Sequence, residues 1–288
     1  PPRMRLSAIL VNYHSLEPLL ASLPALEAEM ASLDHEIVLV DNSPGDGTET
    51  AVVHRHPRTR WLANDRNVGF ARAVNRGIDS TSGDFILVLN PDCELCPGAL
   101  GALLAHMDAH PQCALAGPRI EYPDGRLQYS ARRYPSPATV LFNRYSLLSR
   151  LFPGNPWTRE YIMSDWDHRG TRDVDWLSGA CLLVRRAAVD RVGPLDPTYF
   201  MFNEDVDWAH RMNDAGWKVT YVPAARVVHR VGASRRRVSP RVVVERHRGM
   251  VHYYRKHHHP NPLLAAMVAA LVMTRAGVML IENELRPR

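Results

Sequence analysis

The chain has 288 residues, of which 45% are hydrophobic and 23% are charged, and these values are ordinary for a folded globular protein. They exclude an extensively disordered chain, and the length allows one large domain or two small ones. The net charge of +5 comes almost wholly from arginine, since Lys218 and Lys256 are the only lysines. Four cysteines are too few for a disulfide framework of this size, which favours a cytosolic setting. A redox or zinc role for Cys93 and Cys96, which form a C-x-x-C pair, is the less favoured interpretation.

Strand and helix patterns alternate through the first 120 residues, which predicts an α/β fold with a mostly parallel, Rossmann-like sheet flanked by helices. Three apolar runs end abruptly at polar residues, namely at Asn12, at Asp41 and at Asn90-Pro91-Asp92. Ligands of open parallel sheets bind outside the carboxyl ends of the strands, so the three ends predict one binding site. The alternative is three strand-ending turns, because Asn and Asp are common turn formers.

A helix is predicted over residues 68–78, directly after Arg66 and Asn67. Gly69 would let a ligand or another backbone approach its first turn closely. A helix amino terminus next to an arginine suits a phosphate group, although a simple capped turn is the alternative. A second helix is predicted after Pro97, because Leu100, Leu103, Leu104 and Met107 share one face.

Periodicity fades between residues 134 and 171, where prolines, aromatics and arginines predict a long loop or helical insert that grips a second substrate. Strand character returns over residues 174–177 and 181–184. A last short strand is expected over residues 218–222, leading through Pro223 to His229.

Three carboxylates, Glu204, Asp205 and Asp207, stand at the start of a predicted helix that runs to about residue 215. Carboxylates in a first turn are favoured by the helix dipole, and Asp207 can pair with Arg211 four residues on. An aromatic run precedes the adjacent pair, and a partly buried carboxylate can accept a proton. The residues alone leave capping and catalysis as equal alternatives.

The carboxyl-terminal segment 263–281 is nearly all apolar, apart from Thr274 and Arg275, and follows a basic stretch. A helix lying on an anionic lipid surface is favoured over a full crossing, because a central charge opposes spanning. Packing on the domain or on a second subunit, as in a homodimer, is the alternative. The run Arg235–Arg237 fits a polyprenyl diphosphate or a membrane surface better than nucleic acid, for which basic charge alone is weak evidence. The amino terminus leads directly into the first strand, so we expect no signal peptide.

The successive motifs resemble those of family 2 glycosyltransferases, in order and in spacing, over roughly residues 6 to 232. Within that family they are most similar to the rhamnosyltransferases of bacterial cell-wall and O-antigen assembly. The motifs are Val11-Asn12-Tyr13, Val40-Asp41-Asn42-Ser43, Arg66-Asn67-Val68-Gly69-Phe70-Ala71 with Asn75, Asn90-Pro91-Asp92, Trp176-Leu177-Ser178-Gly179-Ala180 and Glu204-Asp205-Val206-Asp207.

The resemblance implies a GT-A fold whose donor half covers residues 1–120 and whose acceptor half covers residues 121–232, followed by a carboxyl-terminal helical extension over residues 233–288. It implies that the nucleotide-sugar donor contacts Val11, Asn12, Tyr13, Asp41, Asn42, Arg66, Asn67, Gly69, Asn75, Asn90 and Asp92. Asp41 would hydrogen-bond the pyrimidine base, and Asp92 would bind Mg²⁺ or Mn²⁺ with His229 as a further ligand. Many members have Asp-x-Asp where this chain has Asn90-Pro91-Asp92, so one motif carboxylate is missing.

The resemblance also implies that Asp205 is the general base of an inverting displacement, with Glu204 orienting it or the acceptor. Trp176, Gly179, Ala180 and Asp207 would contact the acceptor. The implied reaction moves L-rhamnose from dTDP-β-L-rhamnose to a lipid-linked or oligosaccharide acceptor, with polyprenyl-diphosphate-linked amino sugar as the favoured class. The implied place is the cytoplasmic face of the membrane.

Two other classes are less favoured. No G-x-G-x-x-G follows the first strand, which opposes a dinucleotide-dependent oxidoreductase, and Tyr13-His14-Ser15-Leu16-Glu17 lacks the glycine-rich basic loop that a nucleotidyltransferase would need. A catalytically inactive nucleotide-sugar or carbohydrate-binding protein at the membrane is the non-enzymatic alternative. Asp41, Asp92, Glu204 and Asp205 are all present, which argues against it.

Overall fold

The computed structural model describes residues 4–136, 139, 152, 154–230 and 239–285. The strands are β1 (Leu6–Asn12), β2 (His35–Asp41), β3 (Thr59–Ala63), β4 (Phe85–Leu89), β5 (Cys93–Leu95), β6 (Cys113–Glu121), β7 (Leu127–Gln128), β8 (Ala131–Arg132), β9 (Arg172–Asp173), β10 (Trp176–Leu177), β11 (Cys181–Arg185) and β12 (Lys218–His229). The helices are α1 (Leu16–Met30), α2 (Thr48–Arg55), α3 (Phe70–Asp79), α4 (Ala99–Ala109), α5 (Pro156–Ile162), α6 (Arg186–Val192), α7 (Glu204–Asp214), α8 (Pro240–His258) and α9 (Pro262–Leu285).

The central sheet has the strand order β3-β2-β1-β4-β11-β6-β12-β5, with β7 and β9 added at its side. Strands β3, β2, β1 and β4 are parallel, and so are β6 and β12. Strand β11 runs antiparallel between β4 and β6. A separate small sheet pairs β8 with β10. The predicted mostly parallel sheet flanked by helices is therefore confirmed.

Strand β1 shows how the sequence builds the core. All seven of its residues are buried, as expected for a parallel strand covered on both faces. Leu6, Ala8 and Leu10 pack with helices α1 and α4 in one apolar cluster. Ile9 and Val11 pack with α3 in a second cluster on the opposite face. The period of two along the strand thus supplies both faces of the sheet.

Several element bounds differ from the predictions. Helix α3 begins at Phe70, two residues later than predicted, because Gly69 has a φ of 92° that a helix does not allow. A short strand, β5, precedes α4. Only residues 176 and 177 of the strand predicted over residues 174–177 form a strand, β10, and β9 lies just before that range. Strand β12 runs continuously past Pro223, with irregular pairing between Val222 and Arg226.

Part of the predicted insert is a short helix, α5, whose first turn is capped by the side chain of Asn155. Residues 137–138, 140–151 and 153 of that insert lie outside the described residues, and so does the basic run Arg235–Arg237.

Helices α8 and α9 complete the described chain. Val272 and Ala276 of α9 are buried, whereas an apolar stripe on its other side is exposed, comprising Leu263, Leu264, Met267, Leu271, Val278 and Ile281. An 18-residue window within Pro262–Glu284 has a mean hydropathy of 2.1, which makes α9 long and apolar enough to cross a membrane by length and composition alone.

Candidate active site

The ends of β1 and β2 meet at one rim of the sheet, as predicted. Asn12 and Asp41 are paired in register, and both side chains are buried. The Asn12 amide donates to the Asp41 carboxylate over 2.8 Å and to the Ser43 hydroxyl over 3.0 Å. The Ser43 amide also donates to Asp41, over 2.9 Å. The two bonds to Asp41 both reach one carboxylate oxygen, Oδ1, so the orientation of Asp41 is fixed.

Asn42 links this rim to the start of α3. Its amide donates to the carbonyl of Gly69 over 3.2 Å, and its carbonyl accepts from Asn64 over 2.8 Å. The Asn67 side chain accepts from the Gly69 amide over 2.9 Å, and Arg66 beside it is exposed. The predicted donor motif therefore forms one hydrogen-bonded unit at the edge of the sheet.

Gly69 also lies against the loop that precedes α7. The Phe70 amide donates to the carbonyl of Phe200 over 2.7 Å. A Cβ atom added to Gly69 would lie 2.5 Å from that carbonyl oxygen, so only glycine fits. The donor motif and the loop carrying Glu204 and Asp205 are thus in direct contact.

Asn75 has a different position from the donor contact that the family resemblance implies. Its amide donates to the carbonyl of Leu195 over 2.7 Å, and its carbonyl accepts from the Leu195 amide over 3.0 Å. Both polar groups of the side chain are therefore occupied by one backbone residue. Asn75 fixes the segment that leads into the α7 loop.

Asp92 follows the end of β4 by three residues and lies beside His229, because β5 and β12 pair with Cys93 opposite His229. The Nε2 atom of His229 is 3.2 Å from Asp92 Oδ1. The Nδ1 atom of His229 is 2.6 Å from the side-chain oxygen of Gln128, which can only accept a proton. Nδ1 therefore donates, which leaves the lone pair of a neutral imidazole on Nε2, facing Asp92.

This arrangement fits a divalent cation. A neutral imidazole nitrogen and a carboxylate oxygen facing each other at 3.2 Å repel unless a cation or proton lies between them. One carboxylate and one imidazole suit Mn²⁺ or Mg²⁺ when substrate phosphates and water complete the shell. Gln128 would orient His229 from the outer shell, a role that the sequence did not reveal. The Cys93 thiol lies beside this pair, but burial raises its pKa well above the usual value, so it stays protonated.

Glu204 and Asp205 begin α7 after two residues, Phe202 and Asn203, with φ values of 68° and 69°. Left-handed backbone is strained for such side chains and is found preferentially at functional sites. The carboxylate of Glu204 is buried, and its Oε2 atom has no hydrogen-bond partner among the described residues. Burial, together with the charge of Asp205, raises the pKa of Glu204 well above the usual range.

The Asp205 carboxylate accepts one backbone hydrogen bond on each oxygen. The Gly179 amide donates to Oδ2 over 2.9 Å, and the Val206 amide donates to Oδ1 over 2.9 Å. Burial raises the pKa of Asp205, and these two bonds and the charge of Arg132 oppose that increase. The residue can therefore exchange a proton closer to neutral pH than an exposed aspartate.

Three of the predicted acceptor residues, Trp176, Gly179 and Ala180, have contacts with other parts of the chain. Gly179 contacts Asp205 directly, and the carbonyl of Ala180 accepts from the Asn90 amide over 2.9 Å. Trp176 is buried, and its indole donates to the carbonyl of Arg133 over 2.8 Å.

Asp207 is not positioned to contact an acceptor. Its carboxylate is fully buried and lies 2.9 Å from Arg211, 2.8 Å from Lys256 and 2.8 Å from His257. Burial would raise the pKa of Asp207, but these partners outweigh it and lower the pKa to about 2. Asp207 joins α7 to α8, which corrects the expectation of an acceptor contact.

Helix α8 packs on the loop before α7. The guanidinium of Arg241 lies 4.1 Å from the ring centroid of Phe200, and that of Arg246 lies 4.3 Å from the Phe202 centroid. The side chain of Asn203 donates to the carbonyl of Arg246 over 3.2 Å. Helix α8 therefore supports the loop that leads to the carboxylate pair.

The central sheet and its flanking helices have the GT-A fold. Two solved structures share the fold. One is the mannosyltransferase PcManGT from Pyrobaculum calidifontis in complex with GDP-Man and Mn²⁺, with TM-score 0.60 and 15% identity, covering 99% of this chain and 76% of that one. The other is GalNAc-T7 with UDP, GalNAc and Mn²⁺, with TM-score 0.60 and 17% identity, covering 79% of this chain and 44% of that one.

The family follows from the sequence comparisons. The family model described as glycosyl transferase family 2 matches residues 7–193. A Mycobacterium tuberculosis protein described as N-acetylglucosaminyl-diphospho-decaprenol L-rhamnosyltransferase is 39% identical over 223 residues, which is 72% of each chain. The chain belongs to glycosyl transferase family 2, resembles its bacterial rhamnosyltransferases, and is a nucleotide-sugar-dependent glycosyltransferase.

Proposed function

We propose that the enzyme transfers L-rhamnose from dTDP-β-L-rhamnose to a hydroxyl of a polyprenyl-diphosphate-linked amino sugar, with inversion at the anomeric carbon. The observation that carries this proposal is the 39% identity to the mycobacterial relative, whose description states a rhamnosyl transfer to such an acceptor. The carboxylate pair of buried Glu204 and half-buried Asp205 supports it, because a direct displacement needs a base at the acceptor hydroxyl.

The donor nucleotide would bind along the rim formed by β1 and β2. The free oxygen of the oriented Asp41 carboxylate would accept a hydrogen bond from the pyrimidine ring. The backbone of Val11 and Asn12 and the exposed ring of Tyr13 would line the pocket. Arg66, exposed before α3, would pair with the donor phosphates.

Asp92 and His229 would bind Mn²⁺ or Mg²⁺, with Asn90 two positions before Asp92 in the chain. When bound, the cation supplies positive charge to the diphosphate that leaves. Arg66 would add to that charge from the protein side. The proton transfer and the attack on the anomeric carbon would depend on Asp205 and the residues around it.

Asp205 would accept the proton of the acceptor hydroxyl while that oxygen attacks the anomeric carbon. The carbon–oxygen bond to the donor phosphate breaks in the same displacement, and the nucleoside diphosphate leaves with the electron pair. A β-L-rhamnosyl donor then yields an α-L-rhamnoside. Gly179 would keep Asp205 oriented, and Trp176 would form part of the acceptor wall.

We further propose a transferase domain over residues 1–232 and a carboxyl-terminal extension over residues 233–288 that contacts the cytoplasmic face of the membrane. The exposed apolar stripe of α9 supports a position in the lipid interface, and the lipid-linked acceptor class gives it a purpose. Pairing of two copies through the same stripe is the second candidate.

Product formation tests the function. Purified enzyme would be incubated with Mn²⁺, a short-chain polyprenyl-diphosphate-linked N-acetylglucosamine and one of dTDP-rhamnose, UDP-glucose or GDP-mannose, and products would be separated by mass. We expect transfer from dTDP-rhamnose and none from Asp205→Asn. Transfer from another donor only would overturn the rhamnosyl proposal. Nucleotide binding without any product would favour the inactive binding protein.

Vesicle sedimentation tests the membrane contact. Wild type should sediment with vesicles containing phosphatidylglycerol, and Met267→Glu with Leu271→Glu should reduce the bound fraction. The exposed Val53→Glu serves as a control for surface charge. Equal binding of all three proteins would contradict the contact, and a dimer that only the double variant disrupts would favour pairing instead.

A further inference from the structure

Arg132 holds an unusual position beside the candidate active site. It lies in β8, where it pairs with Trp176 of β10. Its guanidinium lies 5.3 Å from the Trp176 ring centroid and 5.5 Å from the Tyr161 centroid. Contact with two aromatic rings fixes a guanidinium in place while its N–H groups remain able to donate in their own plane.

The hydrogen bonds of this guanidinium are incomplete. One terminal nitrogen donates to the carbonyl of Tyr129 over 3.1 Å. The Nε atom is buried and lacks a hydrogen-bond partner, and no carboxylate among the described residues pairs with Arg132. A buried donor without a partner is costly and is expected where a ligand completes the bond.

Arg132 also lies near the candidate base. Its positive charge acts on Asp205 and opposes the burial that raises the pKa of that residue. Trp176, which contacts Arg132, leads within three residues to Gly179, whose amide binds the Asp205 carboxylate. Asp92 and His229, by contrast, lie on the main sheet. A cation without a carboxylate partner among the described residues therefore lies within electrostatic reach of Asp205.

We propose that Arg132 binds the diphosphate of the acceptor and so selects acceptors that carry one. This inference rests on the proposed function, in which Asp205 takes the proton from a hydroxyl of the acceptor sugar. The diphosphate on the anomeric carbon of that sugar lies one sugar ring away from the reacting hydroxyl. A guanidinium fits two phosphate oxygens in a bidentate contact, which an ammonium group does not reproduce.

The test compares two acceptors that differ only in charge. One is N-acetylglucosamine linked through a diphosphate to a short prenyl chain, and the other is the neutral alkyl glycoside of the same sugar. Arg132→Ala and Arg132→Lys would be compared with Arg133→Ala. Arg133 is the adjacent residue, but its guanidinium pairs with Asp175 at 3.1 Å. KM and kcat would be measured for donor and for each acceptor.

We expect Arg132→Ala to raise KM for the diphosphate acceptor by about 10- to 100-fold, the value of a charge-assisted bond. KM for the donor and rates with the neutral glycoside should stay within about twofold, as should every constant of Arg133→Ala. Arg132→Lys should recover only part of the affinity, and this variant carries the test if the alanine variant does not fold.

Three outcomes would overturn the inference. An equal loss on both acceptors, with a shifted pH profile of kcat, would mean that Arg132 acts on Asp205 alone. A raised KM for the donor would assign Arg132 to the donor diphosphate. Wild type that uses both acceptors equally well would exclude diphosphate selection while leaving glycosyl transfer intact. Wild type that uses neither acceptor would instead refute the proposed function.

Discussion

The amide of Gly179 donates a hydrogen bond to the carboxylate of Asp205 across 26 positions of sequence, over 2.9 Å. A backbone donor cannot rotate away as a side chain can, so the segment between β10 and β11 fixes the direction of the Asp205 carboxylate. A Cβ atom at position 179 would lie 3.4 Å from the same oxygen. That is an ordinary contact distance, so residue 179 acts on Asp205 through its backbone amide.

Asp205→Asn should abolish most turnover. The amide keeps the shape of the side chain but cannot accept the proton, so we expect kcat to fall by about 10²- to 10⁴-fold. Burial and the charge of Asp205 raise the pKa of Glu204, which favours its protonated form, so Glu204→Gln should lose less activity. Thermal shift with dTDP checks that both variants still bind nucleotide. A loss with Glu204→Gln as large as that with Asp205→Asn would reverse the two roles.

The pH profile of kcat/KM should report the protonation of Asp205. Burial raises the pKa of Asp205, and the base works only when deprotonated. Activity should therefore increase with pH through a value above the ordinary range of an exposed aspartate. Initial rates at saturating Mn²⁺ measure this limb. An acidic limb of the profile at the pKa of an exposed aspartate would contradict the assignment of Asp205 as the base.

Gln128→Ala should weaken metal binding. The amide oxygen of Gln128 fixes the Nδ1 proton of His229, and loss of such an outer contact typically costs about 10- to 100-fold in affinity. Mn²⁺ binding, followed by electron paramagnetic resonance of the free ion, measures the effect without turnover. The exposed Gln112→Ala is the matched control. Equal Mn²⁺ affinity in all three proteins would exclude the site formed by Asp92 and His229.

Asp207→Asn should destabilise the fold. Removing one member of a buried ion-pair cluster leaves the others uncompensated and costs about 3 to 5 kcal/mol. The pKa of Asp207 is lowered to about 2 in the folded state, so its stabilising effect is complete above the unfolded value. This contribution decreases as the pH falls through about 4 towards 2.

Urea unfolding at pH 7 and at pH 3 measures both effects. The variant should be less stable at pH 7 and should lose less stability than wild type between the two values. Asp190→Asn, an exposed aspartate on α6, is the control. A variant as stable as wild type at pH 7 would mean that Asp207 does not join the helices.

The polar residues at the rim of the sheet could be predicted because each follows its strand directly in the sequence. The apolar runs of β1, β2 and β4 are contiguous in sequence, and each ends at its own polar residue. Pairing of Asn12 with Asp41 then follows from the parallel register. The start of α7 at Glu204 was predicted for the same reason, since its carboxylates and apolar residues are neighbours in the chain.

The remaining roles depend on contacts between distant positions. Gln128 contacts His229 from 101 residues away, and Asn75 contacts Leu195 from 120 residues away. A single sequence carries no signal of these pairs. Asp207 was misassigned because its match to a family motif gave no information about Lys256 and His257, which bury its charge. Arg132 carries no local pattern that separates it from Arg133.

The contacts between α7 and α8 determine how much of the chain the carboxylate pair needs for support. The family motifs stop near residue 232, yet Asp207 depends on Lys256 and His257, and Asn203 depends on the carbonyl of Arg246. A chain shortened to the motif-bearing part would expose the inner face of the catalytic loop and leave a buried anion with Arg211 as its remaining cation. The catalytic unit is therefore longer than the stretch of sequence by which its family is recognised.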